Sequence, residues 1–135
     1  MIVLDSSFLV AYHNRQDVHH AASAEAMRRL VAGEWGLGLL LEYVFVEVVT
    51  VLLARRGLPS ASDAAATLLE AGEVEFVPCS EIFLASLETF RRQTPAVLSF
   101  TDAAIVTVAR TRGEGRVATF DADFRDLDGI VVIPT

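Results

Sequence analysis

Short apolar runs that end at turn residues or acids, spaced by stretches long enough for helices, constrain this chain more than any other feature. Met1 to Leu4 stops at Asp5, and Val74 to Val77 stops at Pro78. Val117 to Phe120 leads into a polar turn from Asp121 to Asp128, and Ile130 to Ile133 is the last run. A short strand is also expected around Gly36 to Leu39, where glycines punctuate the chain. Such runs, apolar without alternation, suit strands buried on both faces. Between them, Ser6 to Tyr12 reads as a short helix capped by Asp5 or Ser6, and a helix is expected from about Asp17 to Val31. Further helices are expected from Ser60 or Ser62 to about Ala71, over Ser80 to Arg92, and from a Ser99 cap to about Arg112. Strands alternating with helices imply a parallel sheet covered on both faces. The expected class is α/β, a three-layer α/β/α sandwich around a mostly parallel sheet. At 135 residues the chain is the size of one domain, 1–135.

The segment Leu40 to Arg56 is ambiguous. Its valines favour a strand, whereas its length and its Arg55-Arg56-Gly57 ending favour a helix with a glycine stop. Leu37 to Ala54 is apolar enough to raise a membrane question, but Glu42 and Glu47 argue for a buried helix instead. A hydrophobic fraction of 53% speaks against disorder. Asp5 interrupts the N-terminal apolar run too early for a signal peptide. A single cysteine, Cys79, excludes an internal disulfide, leaves no zinc cluster and fits a reducing cytoplasm.

The net charge is −7, and all 11 basic residues are arginine, with no lysine. Charge alone therefore argues against nucleic-acid binding. That objection is met if several acids gather in one site where metal offsets them. In an open α/β sheet, ligands bind beyond the carboxyl ends of the strands. Asp5 and Asp121 follow strands there, Asp102 lies in the first turn of a helix, and Glu47 sits in an apolar helix. Each has an ordinary structural role as well: Asp5 as a helix cap, Asp121 as a turn closer, Asp102 as partner of Ser99 in a capping pair, and Glu47 as partner of an arginine. Together they suit a hard divalent cation, which prefers carboxylate oxygens, and point to metal-assisted phosphodiester hydrolysis.

Four stretches carry a resemblance. Ile2-Val3-Leu4-Asp5-Ser6-Ser7 resembles the opening of PIN domains, and Glu42-Tyr43-Val44-Phe45-Val46-Glu47 resembles the stretch with that family's glutamate. Ser99-Phe100-Thr101-Asp102-Ala103-Ala104 and Thr119-Phe120-Asp121-Ala122-Asp123-Phe124 resemble its third and last acid motifs. Each is weak alone, but four in order span almost the whole chain. The small size is similar to the VapC toxins of toxin–antitoxin pairs. The resemblance implies that Asp5, Glu47, Asp102 and Asp121 form a catalytic, metal-binding pocket for Mg²⁺ or Mn²⁺, with Asp123 as an accessory acid and Ser6 as an orienting hydroxyl. It implies an endoribonuclease that leaves a 5′-phosphate and a 3′-hydroxyl, a homodimer, and a separate antitoxin that covers a groove beside the acids. The apolar surfaces of Leu40 to Arg56 and Ser60 to Ala71 are candidates for these contacts. Glu42 rivals Glu47: five positions apart on a helix, the two point about 140° apart, so one of them faces the site. Asp121 and Asp123 compete in the same way.

Arg110, Arg112 and Arg116 are the first candidates for RNA contacts, because their segment joins the helix of Asp102 to the strand of Asp121. The other arginine pairs, Arg28–Arg29, Arg55–Arg56 and Arg91–Arg92, serve solubility first and local contacts to phosphate second. His13, His19 and His20 read as solvated residues near a helix start, Trp35 as filling a loop pocket, and Cys79 as inert. Haloacid-dehalogenase-type phosphatases, receiver domains and P-loop enzymes all use a lysine that this chain lacks. Two rivals stay open: a PIN-like interaction module without catalysis, and a metal-dependent DNA nuclease.

Overall fold

A computed structural model describes all residues, 1–135. Five strands form one all-parallel sheet in the order β3-β2-β1-β4-β5: β1 (Ile2–Leu4), β2 (Gly38–Leu41), β3 (Val74–Val77), β4 (Arg116–Ala118) and β5 (Val131–Ile133). Six helices flank it: α1 (Ser6–His13), α2 (His20–Val31), α3 (Glu42–Arg56), α4 (Leu58–Glu70), α5 (Cys79–Arg92) and α6 (Phe100–Arg112). The chain steps from β1 to β2 to β3 in one direction, then returns past β1 to β4 and β5. Because parallel crossovers are right-handed, the first run puts α1 to α4 on one face and the return puts α5 and α6 on the other. This is the α/β/α sandwich expected from the sequence, with the sheet wholly rather than mostly parallel. No helix is long and apolar enough to cross a membrane.

Central strands β1 and β2 are buried throughout, which is why they read as unbroken apolar runs, whereas the edge strands β3 and β5 expose Phe76 and Val131. The ambiguous segment divides: Leu40 and Leu41 finish β2, and the helix begins at Glu42. β2 therefore lies two residues later than expected. Gly57, at φ 88°, stops α3 in a conformation open to glycine, and α4 starts at once, with Pro59 in its first turn rather than at a serine cap. The second helix begins at His20 rather than Asp17, because Asn14 to His19 forms a hydrogen-bonded turn.

Candidate active site

The strand order reverses at β1, whose neighbours β2 and β4 come from different parts of the chain. Such a reversal opens a crevice at the carboxyl ends. There a cavity of about 500 Å³ is lined by Asp5, Ser6, Ser7, Glu47, Asp102 and Asp121, together with Asp17, His19, Arg55, Ser99 and Phe120. The fold thus brings the four sequence-derived acids to one wall.

Asp5 directly follows β1, and its N–H continues the ladder to the Ala118 carbonyl at 3.0 Å. Its side chain does not cap α1. Instead Oδ2 accepts from the Thr119 hydroxyl at 2.7 Å and the Ser7 hydroxyl at 2.8 Å. Ser7 Oγ in turn accepts the Phe120 N–H at 3.0 Å, and Thr119 Oγ1 accepts the Asp121 N–H at 2.9 Å. This network ties the end of β1 to the loop after β4. The Asp5 residue is only 4% exposed. Burial pushes its carboxyl above the usual range, the two hydroxyls oppose that, and the Asp121 charge adds to it.

Ser99 caps α6 by accepting the Asp102 N–H at 3.1 Å. The Asp102 carboxyl rises to about 6, first through burial and then through the charges of Asp5 and Asp121, with Ser99 pulling the other way. The strand stops at Ala118 rather than Phe120, so Asp121 lies in the loop beyond it, where it accepts the Asp123 N–H on Oδ1 at 2.9 Å and starts a single turn of 3₁₀ helix (Ala122–Phe124). Its ordinary role as a turn closer and its place in the cavity therefore coexist. Carboxylate oxygens of Asp102, Asp121 and Asp123 lie within 4.8 Å of one another. Asp123 joins this trio although it is exposed. The donor set fits a hard divalent cation: all its donors are carboxylate oxygens, gathered where mutual repulsion raises Asp102 and where Arg55 is the only cationic side chain on the wall.

Glu42 and Glu47 separate cleanly. Glu42 Oε1 accepts the Cys79 N–H at 2.9 Å and so caps α5, while Glu47 lines the cavity and accepts from the Ser6 hydroxyl. Burial pushes the Cys79 thiol up, away from reactivity.

The arginines expected to meet RNA stand elsewhere. Arg110 donates to the Asp128 carbonyl at 2.8 Å, Arg112 pairs with Glu75 at 2.7 Å, and Arg116 pairs with Glu114 at 2.9 Å. Arg112 ends α6 and Arg116 begins β4, so both sit toward the amino ends of the strands, away from the acids. Adjacency in sequence misplaced them, because α6 runs back across the sheet. Ser7, Asp17 and Phe120 line the cavity and the buried Thr119 bonds Asp5, none of them expected from sequence, while His19 was read as a solvated helix start and Arg55 as a source of solubility first and an RNA contact second. Thr119 and Ser7 stood inside quoted motifs, but nothing local marks a hydroxyl that bonds a carboxylate 114 residues away.

Thr119→Val keeps the shape and removes the shortest bond to Asp5. It is expected to weaken divalent-cation binding, followed by calorimetry, by about 10–100-fold, the usual cost of losing a group that orients a ligand.

The site and fold define the class: residues 2–130 match the PIN domain model, and the chain belongs to the PIN-domain family. The chain is similar in structure to VapC20 of Mycobacterium tuberculosis, described as a sarcin–ricin loop cleaving toxin, at TM-score 0.76 and 28% identity, covering 91% of this chain and 92% of that one. It shares its fold with PAE2754 of Pyrobaculum aerophilum at TM-score 0.57 and 21% identity, over 98% and 83% of the two chains. No curated protein matches the chain by sequence.

Proposed function

We propose that this chain is a Mg²⁺-dependent endoribonuclease, with Mn²⁺ as a substitute, and the toxin of a VapBC-type toxin–antitoxin pair acting in the cytoplasm. The observation that carries this reading is the convergence of Asp5, Glu47, Asp102 and Asp121 on one cavity at the carboxyl ends of the strands. Its likeness to an RNA-cleaving toxin over nearly the full length of both chains supports the choice of substrate. Asp102, Asp121 and Asp123 would hold the ion, with Asp5 and Glu47 completing the pocket. When bound, the ion supplies an activated water and offsets the charge that develops on the attacked phosphate.

The remaining chemistry belongs to the chain's own groups. Thr119 and Ser7 fix Asp5 before any ligand arrives, and Ser6 does the same for Glu47. Burial of Asp5, and the partial burial of Asp102, reduces screening by water, which strengthens their pull on a cation. The reading includes a homodimer and a separate antitoxin, and the exposed Val46, Leu53, Leu58 and Leu69 of α3 and α4 offer apolar area for such contacts.

A mixed RNA pool incubated with Mg²⁺ or Mn²⁺, and then with EDTA, tests the proposal against Asp5→Asn. Cleavage that needs metal, fails in the variant and leaves 5′-phosphates is the expected result. A 2′,3′-cyclic phosphate end would mean attack by the ribose hydroxyl and would overturn the hydrolytic route. If the wild type neither cuts RNA nor binds metal by calorimetry, the interaction-module reading takes its place.

The two glutamates give a sharper comparison. Glu47→Gln is expected to reduce cleavage by about a hundredfold or more. Glu42→Gln should leave the rate within about twofold and lower stability by roughly 0.5–1 kcal/mol, the scale of a weakened helix cap. Rates and urea midpoints measured on both variants check this.

A further inference from the structure

Three aromatic rings run outward from the core beside the acids. Phe8 is fully buried; Phe120 stacks on it with centroids 6.2 Å apart, and His19 stacks on Phe120 at 4.3 Å with only 7° between the planes. Phe120 immediately precedes Asp121, and His19 and Phe120 both line the acid cavity. His19 is exposed, so the column ends in a ring with one face open. The turn beneath that ring is held before any ligand comes. The Asp17 N–H donates to the Asn14 carbonyl at 3.0 Å, the His19 N–H donates to Asp17 Oδ1 at 2.8 Å, and the ring of neighbouring His20 bonds the Ala11 carbonyl at 2.8 Å.

The cavity is otherwise hostile to a polyanion. Asp5, Asp17, Glu47, Asp102 and Asp121 line it against a single cationic side chain, Arg55. Arg55 takes part in none of the ion pairs of the fold. It lies on the same stripe of α3 as Val51 and Glu47, four and eight residues before it, which sets it about 12 Å along the helix from Glu47. A substrate here must gain affinity from something other than net charge. Base stacking supplies that, and it tolerates any sequence because every base has a flat face.

We propose that the open face of His19, backed by Phe120, is a stacking platform for one base of single-stranded RNA, and that Arg55 takes a phosphate of the same strand further along the cavity. The proposal rests on the ribonuclease reading and names how that site grips its substrate. A duplex keeps its bases stacked inside and presents no free face to such a platform, so the site favours loops and unpaired ends.

Two measurements test it separately from cleavage. In the first, the His19 imidazole resonances are followed by NMR as adenosine 5′-monophosphate, uridine 5′-monophosphate or inorganic phosphate is added in Mg²⁺. Ring-current shifts that are larger for the purine and absent for phosphate are expected. No shift with either nucleotide, or an equal shift with phosphate, overturns the platform.

In the second, His19→Ala raises KM for RNA about tenfold with a smaller change in kcat, and His19→Trp restores it. The His19 side chain is exposed and makes no capping bond, so neither change threatens the fold. Arg55→Ala lowers the salt dependence of binding by about one unit of slope. If the wild type cuts RNA but His19→Ala leaves KM unmoved, the platform fails and the nuclease stands. If nothing is cut while the nucleotides shift His19, the nuclease reading fails and the platform stands.

Discussion

Asp102→Asn is expected to raise the melting temperature of the metal-free protein by roughly 3–8 °C at pH 7.5 while cutting RNA cleavage by on the order of a thousandfold. The fold lifts the Asp102 carboxyl from 3.8 to about 6. At about 1.4 kcal/mol for every tenfold loss of acidity, the penalty has a ceiling of about 3 kcal/mol. Water reaching the partly exposed side chain reduces this to roughly 1–2 kcal/mol.

The sign follows from where each state holds its proton. Below about pH 4 Asp102 is protonated in both the folded and the unfolded chain, so no penalty exists. Between about 4 and 6 the unfolded chain ionises while the folded one keeps the proton, and stability falls as pH rises. Above about 6 the full penalty applies. Asparagine carries none of it, so the gain should be present at pH 7.5 and gone at pH 4, which melting curves at the two pH values will show. Added Mg²⁺ should stabilise the wild type and do much less for the variant, because a ligand that binds only the folded state raises stability in proportion to its affinity. A variant that melts lower than wild type at pH 7.5 would mean that Asp102 is held by favourable contacts rather than strained by its neighbours.

Phe124→Ala should act in the opposite direction and harder. Phe124 is fully buried, closing the single 3₁₀ turn that Asp121 opens, and with the half-buried Leu127 and Ile130 it holds the loop to the core. Truncating a buried phenylalanine costs about 3–5 kcal/mol, a large share of the roughly 5–15 kcal/mol that holds a domain of this kind. A lower urea midpoint with an unchanged slope is the expected signature. Because Asp121 caps that turn and Asp123 lies within it, cation binding should weaken along with stability. A midpoint that barely moves would show that the hydrogen bonds from the Asp121 N–H to Thr119 and from the Asp123 N–H to Asp121, rather than the ring, hold the loop.

The fold was legible where burial on both faces made a strand into an unbroken apolar run, as at Ile2 to Leu4, and at Val74 to Val77 it was legible from the proline stop, although that edge strand holds Glu75 and exposes Phe76. It was illegible where two buried elements abut. Nothing apolar distinguishes Leu41 at the end of β2 from Val44 inside α3, and no side-chain cap marks the junction. The acids were legible because strand ends announce themselves in sequence. The long-range support was not: Thr119 reaches Asp5 and Ser7 only once β4 lies beside β1. The Glu42–Glu47 choice was set by the position of α5, whose first amide needs Glu42. Arginine placement failed because chain adjacency says nothing about which end of a strand a side chain occupies.

The pairing of Val3 with Val117 and of Leu4 with Ala118 also dictates when the pocket can exist. A ribosome makes about 5–20 residues each second, N-terminus first. β1 therefore emerges first and waits for β4, and Asp5 cannot meet Thr119 until 114 further residues have been made. Asp102 and Asp121 emerge equally late. A nascent chain therefore carries no assembled pocket until the segment through Asp121 has been made, and Asp5 stays without its Thr119 partner while everything between them is synthesised.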